Sequence, residues 1–551
     1  MAALTRMQVL EKQNKDLRTR LENRQAKAEL SLDAAGEELK DLRVRVGVKD
    51  ATISMLQREI AALTKELGEA KDLRAETMQT RIDAAAAAAV AEATAPLLDE
   101  LAKAHAEIAR LKAIINKDPS NSSIPPGQSG FKRHAQNSRE KSGRHIGGQP
   151  GHPGHRLRLP ANMDELVEKG IVTKLLVDHT GGAADYISRF VIDVKVTTTV
   201  TEHRFAVGSE LPENLYNEVS YGDNIKAMSV LLLNEGVIAE KRFSDILSGL
   251  TQGAVTVSPA TLESFQKQFA KKLEDSGELE AIKQDLLNGE VMHTDDTPMR
   301  CVETVEFKDD GGMVVQTAEG KSFTATVRTY SNDRSTLYTV NPRKDQEGVE
   351  RDGVLPVFLG TLSHDHETKF YGYGSAHSTC GEHLLRDLKG LRDLWKIPWA
   401  GDMRAFVAGM NKHKNRDLLN NITVCDPEVL AGFERTFDDL LARGKAELGR
   451  MKDGDFGFAE FRKMLNRLTG FKDCYLLFIR DYKAPFTNNM AERDLRAEKT
   501  RQKVSLSFRS WGGITTHAKI RSFVSTAKKR KCDLFAAIAK VINGEPMLRK
   551  A

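Results

Sequence analysis

Between Leu39 and Leu67 the apolar side chains fall at Leu39, Leu42, Val46, Ile53, Leu56, Ile60, Leu63 and Leu67, in steps of three and four interrupted only by Lys49. A stripe with that period is a heptad seam, and it commits the segment to a helix with one face that must be covered. The spacing recurs at Met7, Leu10, Asn14, Leu17 and Leu21, and again at Leu101, Ala104, Ile108, Leu111 and Ile115. An asparagine in such a seam, as at Asn14, fixes register and strand number at a cost in stability. Residues 1–117 are therefore expected to form a coiled-coil helical region, with helix over 5–116 joining protomers into a homo-oligomer. The alternative is an intramolecular hairpin, broken at Gly36 or at the Ala84 to Ala89 tract and Pro96.

The 551 residues allow three or four structural units and a sizeable buried core. No run of about 18 apolar residues is present to span a bilayer, and the first residues are polar and charged instead of forming an apolar signal core. We expect a cytoplasmic protein with no membrane partner. Cys301, Cys380, Cys425, Cys474 and Cys532 are too scattered for a zinc knuckle or a disulfide framework and read as free thiols. A net charge of +5 is shared by ordinary enzymes and nucleic-acid binders, so the location of the charge decides more than its sum.

Past Lys117 the texture changes to a Ser, Pro, Gly and His-rich linker, residues 118–159, which cannot form a core. From Phe131 to Arg158 it carries seven basic residues (Lys132, Arg133, Arg139, Lys141, Arg144, Arg156 and Arg158) against the single acid Glu140. Such an arm suits salt-sensitive contacts to a DNA backbone, and equally suits a solvated linker. Residues 160–220 read as a small β-rich module, with Phe190 to Val200 alternating around Val and Thr. Residues 221–288 turn helical, with a capped start at Ser258-Pro259-Ala260-Thr261; this is either a DNA-reading helix pair or a packed helical module.

The chemistry is expected in residues 289–510. Asp295 and Asp296 lead into alternating, β-branched sequence and read as lying on or at the end of a strand, and Asp365 falls just after the apolar run from Val357 to Leu362. Glu492 opens a helical stretch reaching Lys503. Strand, strand and helix is the delivery pattern of an RNase H-like site, an α/β core in which clustered carboxylates hold two divalent ions about 4 Å apart for phosphodiester chemistry. On a helix Asn488, Glu492, Arg496 and Lys499 share one face, with Arg493, Arg501 and Lys503 extending the basic character towards DNA phosphates. From Arg493 to Lys531 twelve basic residues face only Asp494 and Glu498, and Phe508 and Trp511 offer stacking surfaces. Residues 511–551 read as a basic C-terminal segment. Taken singly, Asp295 or Asp296 reads as well as a turn residue, Asp365 as a loop carboxylate, and Glu492 as the partner of Arg496 in a helical ion pair.

Read together, these motifs resemble the transposases of the insertion sequence sixty-six family, in order and over nearly the whole chain. The junction Asn121-Ser122-Ser123 with Pro125-Pro126, then Gly147-Gly148-Gln149-Pro150-Gly151-His152, is similar to the family's link between zipper and core. Asp295-Asp296-Thr297 stands where the family has Asp-Glu-Thr. Cys380, His383, Arg386 and Asp387 resemble its Cys-x-x-His helix, and Asn488-Asn489 with Glu492, Arg493 and Arg496 resembles its third motif. The resemblance implies a DDE-type enzyme in which Asp295, Asp365 and Glu492 hold two Mg2+ (or Mn2+) ions, cutting and joining DNA at the ends of a mobile element and in the target, in some cases with helper proteins of the same element. The 127-residue interval from Asp365 to Glu492 implies a helical insertion at about 395–480. Two features depart from the family pattern. Residues 160–220 lack the cysteines of the family's zinc module, so zinc is not expected, and Asp365 is followed by His366-Glu367 in place of glycine and an aromatic residue. That second departure leaves open a catalytically inactive DNA-binding relative; a coiled-coil scaffold whose C-terminal half is structural is a separate alternative.

Overall fold

The computed structural model describes Asn14, Gly47, Lys49, residues 51–64, 76–117, Asn121, Gly151, and residues 159–212, 215–307, 313–317 and 323–548. It divides into two units, Met1–Asn116 with Asp453–Gly457, and Lys117–Lys452 with Phe458–Ala551.

In the first unit residues 51–64 are helical and α1 spans Glu76–Ile115. Pro96 and the alanine tract both lie inside α1, so neither is the break they were weighed as. The missing proline N–H removes one helical hydrogen bond, and the alanine-rich turns around it favour helix strongly enough to continue through. Lys49 forms an ion pair with Glu100. An unbroken helix would hold residues this far apart in sequence roughly 75 Å apart, so the stretch at 51–64 lies back along α1. Ile53, Leu56 and Ile60 on one side, and Leu101, Ala104, Ile108 and Leu111 on the other, are half-buried, whereas Leu63 and Ile115 stay exposed. The seam is thus covered in part by the chain itself. Asn14 is helical and exposed, and the other residues of the first heptads lie outside the described residues.

In the second unit α2 (Met163–Glu168) is followed by a stretch with no strand among the described residues up to 220. The expected β-rich module is therefore not formed: Leu176, Val191 and Val200 are each more than 90% exposed. Alternation of Val and Thr suits a pleated surface, but a strand also needs a partner for its backbone and a core for one face, and this segment has neither. Four helices follow, α3 (Asp223–Asn234), α4 (Glu240–Leu250), α5 (Pro259–Asp275) and α6 (Glu278–Leu287). The start of α5 is the capped one expected, with Ser258 Oγ accepting from Thr261 N at 3.1 Å ahead of Pro259.

The chain then builds a five-stranded sheet from β1 (Val291–Cys301), β4 (Phe323–Ser331), β5 (Thr336–Asn341), β6 (Thr361–His364) and β7 (Ala376–Thr379), in the order β5-β4-β1-β6-β7. A hairpin of β2 (Glu303–Phe307) and β3 (Met313–Thr317) stands between β1 and β4. β4 is antiparallel to both its neighbours, and β6 is parallel to β1 and β7. After α7 (Gln346–Arg351) and β7 come α8 (Gly381–Asp393) and the insertion, four helices running from α9 (Trp399–Leu419) through α10 (Pro427–Leu448) and α11 (Phe458–Gly470) to α12 (Lys472–Arg480). Together these helices span Trp399–Arg480. Within it Trp399 donates its indole N–H to the Leu440 carbonyl at 2.7 Å, and a Cβ on Gly444 would lie 2.8 Å from the Trp399 ring, so only glycine admits this helix contact.

The last three helices are α13 (Asn489–Ser505), α14 (Trp511–Lys529) and α15 (Leu534–Ile542). The C-terminal residues are not a separate basic segment. Ile520, Phe523, Val524, Ile538 and Val541 share one core with Met292, Tyr330 and Leu362 of the sheet. Phe508 and Trp511, expected as stacking surfaces, are buried in a second core with Met299, Val327 and Leu495. Helical spacing had hidden these apolar residues among the charges. α14 also closes the sheet's edge, since the Thr526 and Ser522 hydroxyls accept from the backbone N–H groups of Thr336 and Tyr338 at 3.0 and 2.9 Å.

Candidate active site

The parallel pairing of β1 with β6 sets Val291 opposite Thr361 and His293 opposite Ser363, an offset of 70 residues. Asp295 and Asp365 are separated by the same interval, so extending the register two residues past His293 brings the two acids side by side at the centre of the sheet. Alternation along β1 sends His293 and Asp295 to the face covered by α13, and Asp296 to the other.

α13 brings the third acid. Its preceding residue, Asn488, is fully buried and donates its amide to the Thr294 carbonyl at 2.8 Å. Its Oδ1 lies 3.2 Å from His293 Nδ1. Burial drives His293 down to about 4, so the ring is neutral at physiological pH and its Nδ1–H donates to Asn488. This pin fixes the N-terminus of α13 against β1 and places Glu492 in the first helical turn. Asp494, two residues on, fixes the helix's rotation: it accepts from Ser331 Oγ at 2.6 Å and Thr336 Oγ1 at 2.9 Å and pairs with Lys529 at 2.8 Å. No spacing in the sequence marks Asp494 out, because its partners come from β4, β5 and α14.

His383, in the first turn of α8, completes the cluster. Its Nδ1 is 3.1 Å from Asp365 Oδ1 and 3.6 Å from Glu492 Oε1. All three atoms are buried, and none makes a hydrogen bond of good geometry. Buried polar atoms are normally satisfied, so three that converge unsatisfied form a donor set suited to a cation. Cys380 Sγ belongs to the same cluster, whose donor atoms lie within 4.8 Å of one another. The electrostatics fit a cation as well. Burial and the Asp365 carboxylate raise Asp295 well above the usual carboxylate range. Burial also opposes the charge of Asp365, but His383 and Arg386 hold it below that range. Desolvation disfavours the charged His383 ring, yet the Asp365 carboxylate and Cys380 lift it to about 11, so the pocket favours a positive charge, which a divalent ion would supply on displacing the ring's proton. The residues present therefore fit a divalent metal.

Asp296 is not part of this set. Its buried carboxylate pairs with Arg328 at 3.6 Å, Lys344 at 3.3 Å and Lys369 at 2.5 Å, and Arg328 pairs in turn with Asp352. The residues after Asp365 also turn away from the acids. His366 packs edge-on against Phe471 at 4.6 Å between ring centroids and hydrogen-bonds the Tyr371 hydroxyl at 2.7 Å, while Glu367 pairs with Lys344 and Lys369. Arg386 is half-buried near Asp365, and Asn489 opens α13 exposed.

Of the basic residues proposed for DNA, Arg493, Arg496, Lys499 and Lys503 are exposed along α13, with Lys499 near enough to favour the charged form of Asp295. Arg501 departs from its expected role. Its guanidinium donates to the Leu233 carbonyl at 3.2 Å and lies 4.8 Å from the centre of the Phe508 ring, which ties it to the interior. Lys132, Arg133, Arg139, Lys141 and Arg144 lie outside the described residues.

The family model described as Transposase IS66 family matches residues 218–516, more than half of the chain. No curated protein matches it.

Proposed function

The chain belongs to the IS66 family of transposases, and from that premise we propose that it is an active DDE-type enzyme with an RNase H-like core, catalysing metal-dependent DNA cleavage and strand transfer. The observation that carries this reading is the convergence of Asp365 and Glu492 with unsatisfied buried oxygens beside Asp295, delivered from two adjacent parallel strands and one helix. Asp295, Asp365 and Glu492 would hold Mg2+ or Mn2+, two ions per site, which when bound polarise the phosphate and activate the attacking hydroxyl. The protein's own contribution is positional. Asn488 and Asp494 fix the carboxylate of α13 against those of the sheet, and Arg493, Arg496, Lys499 and Lys503 steady phosphates along the exposed face of the helix. The partners proposed are element ends and target DNA, with protomers paired through the exposed remainder of the helical seam so that two ends are handled together, and helper proteins of the same element in addition.

The His366-Glu367 departure is the ground for an inactive, binding-only relative. Because both side chains are engaged with the insertion helices and the Asp296 network, Asp365 keeps its place, and the active reading is the better supported. The deciding assay measures Mg2+-dependent cleavage and strand transfer on DNA carrying the element's ends, comparing wild type with Asp295→Asn, Asp365→Asn and Glu492→Gln. Each variant is expected to lose product by at least a thousandfold, on the order seen when a principal electrostatic group is removed, while keeping end binding. A wild type that binds the ends and yields no product with Mg2+ or Mn2+, with or without helper proteins, would overturn it.

A further inference from the structure

Donor atoms held about 2.1 Å from one ion stand roughly 3.0 to 3.5 Å from each other. His383 Nδ1 meets Asp365 Oδ1 at 3.1 Å and Glu492 Oε1 at 3.6 Å, close to that spacing, and all three atoms are buried without hydrogen bonds of good geometry. An ion pair needs one carboxylate, whereas this ring nitrogen lies within ion-pair distance of two, with the Cys380 thiol in the same cluster. The local backbone supports the placement: the Gly381 N–H donates to the Phe486 carbonyl at 2.7 Å, and a Cβ at Gly381 would collide with the Phe486 ring, so the first turn of α8 is seated flush against the segment leading into α13.

We propose that His383 is a direct metal ligand, sharing one ion with Asp365 and Glu492, so that this position takes a first-row transition-metal ion in preference to Mg2+. The inference rests on the metal-dependent reading of the same site and assigns it a nitrogen donor. Imidazole nitrogen binds Mn2+, Co2+ and Zn2+ far better than it binds magnesium, which keeps to oxygen and water. A site with this donor set is therefore more selective than an all-carboxylate site. The buried thiol of Cys380 in the same cluster strengthens the bias.

The test is direct metal binding by the full-length protein without DNA. Co2+ is titrated and followed by its visible ligand-field absorption, and Mg2+ by calorimetry, for wild type, His383→Ala and the bulkier His383→Gln. Thermal melting without metal establishes that each variant is folded. Wild type is expected to bind Co2+ at least tenfold more tightly than Mg2+. Both variants are expected to lose tenfold or more in Co2+ affinity and less than twofold in Mg2+ affinity. If the folded variants bind Co2+ as wild type does, or wild type does not distinguish the two ions, His383 is not a ligand. The two readings fail separately. Co2+ bound through His383 in a protein that joins no DNA removes the enzyme and leaves the ligand. Strand transfer in Mg2+ by a protein whose Co2+ affinity ignores His383 does the reverse.

Discussion

At the scale of single residues, the site depends on charges that would be costly if left alone. Asp494 satisfies Ser331, Thr336 and Lys529 at once, and Lys529 is itself mostly buried. Removing one partner of a buried pair leaves the other uncompensated, so Asp494→Ala should destabilise the fold by about 3 kcal/mol in denaturant unfolding and lower strand transfer by loosening the rotation of α13. Asp494→Asn, which can still accept the two hydroxyls, should recover part of the activity. Lys414 in α9 is a second case. Its ammonium donates to the Phe478 and Ala484 carbonyls at 2.9 and 2.6 Å, and burial pushes it down to about 8. The unfolded chain, with an ordinary lysine, binds more protons between pH 8 and about 10.5, so stability from this group rises with pH across that window and is lowest below it. Unfolding measured across that range should show this rise in wild type and lack it in Lys414→Met.

At the scale of elements, the edge of the sheet is held by a helix that the sequence presented as a basic tail. The hydroxyls of Ser522 and Thr526 accept from the backbone of β5, and each is itself buried. Ser522→Ala and Thr526→Ala should each cost about 1 kcal/mol in unfolding, and together they should promote aggregation by freeing the N–H groups of the edge strand. The expected β-rich stretch after residue 160 shows the converse. Its alternation is legible, but strand formation is decided by pairing, and no partner strand lies within reach of it among the described residues.

At the scale of the whole molecule, the net charge of +5 understates a sorting that occurs on folding. Among the basic residues from Arg493 to Lys531, Arg521 pairs with Glu235 at 2.8 Å and Lys529 with Asp494, so neither faces solvent. Arg493, Arg496, Lys499 and Lys503 remain exposed. Replacing any one of these four with alanine should reduce the salt dependence of DNA binding by about one unit of slope, measured as log affinity against log salt, and weaken binding evenly across sequences. Arg501→Ala should instead destabilise the fold and leave that slope unchanged. No helix among the described residues is long and apolar enough to cross a membrane.

Several features were legible in the sequence alone: the heptad stripe, the capped start at Ser258, helices between Asp365 and Glu492, and the acids on a strand, just after a strand and in the first turn of a helix. Each is set by neighbours a few residues apart, where helical or strand period makes spacing meaningful. The interval between Asp295 and Asp365 can be counted in the sequence, but that it equals the register offset of the strands that carry them is decided by the sheet. Only the tertiary structure decided that Asp296 joins Arg328 and Lys369 instead of the acids, that Phe508 and Trp511 are core, that Arg501 turns inward, and that His383 stands between Asp365 and Glu492. These outcomes depend on partners brought together from distant parts of the chain. Burial then changes what a charge or a ring can do, and no local spacing records which of them will be buried.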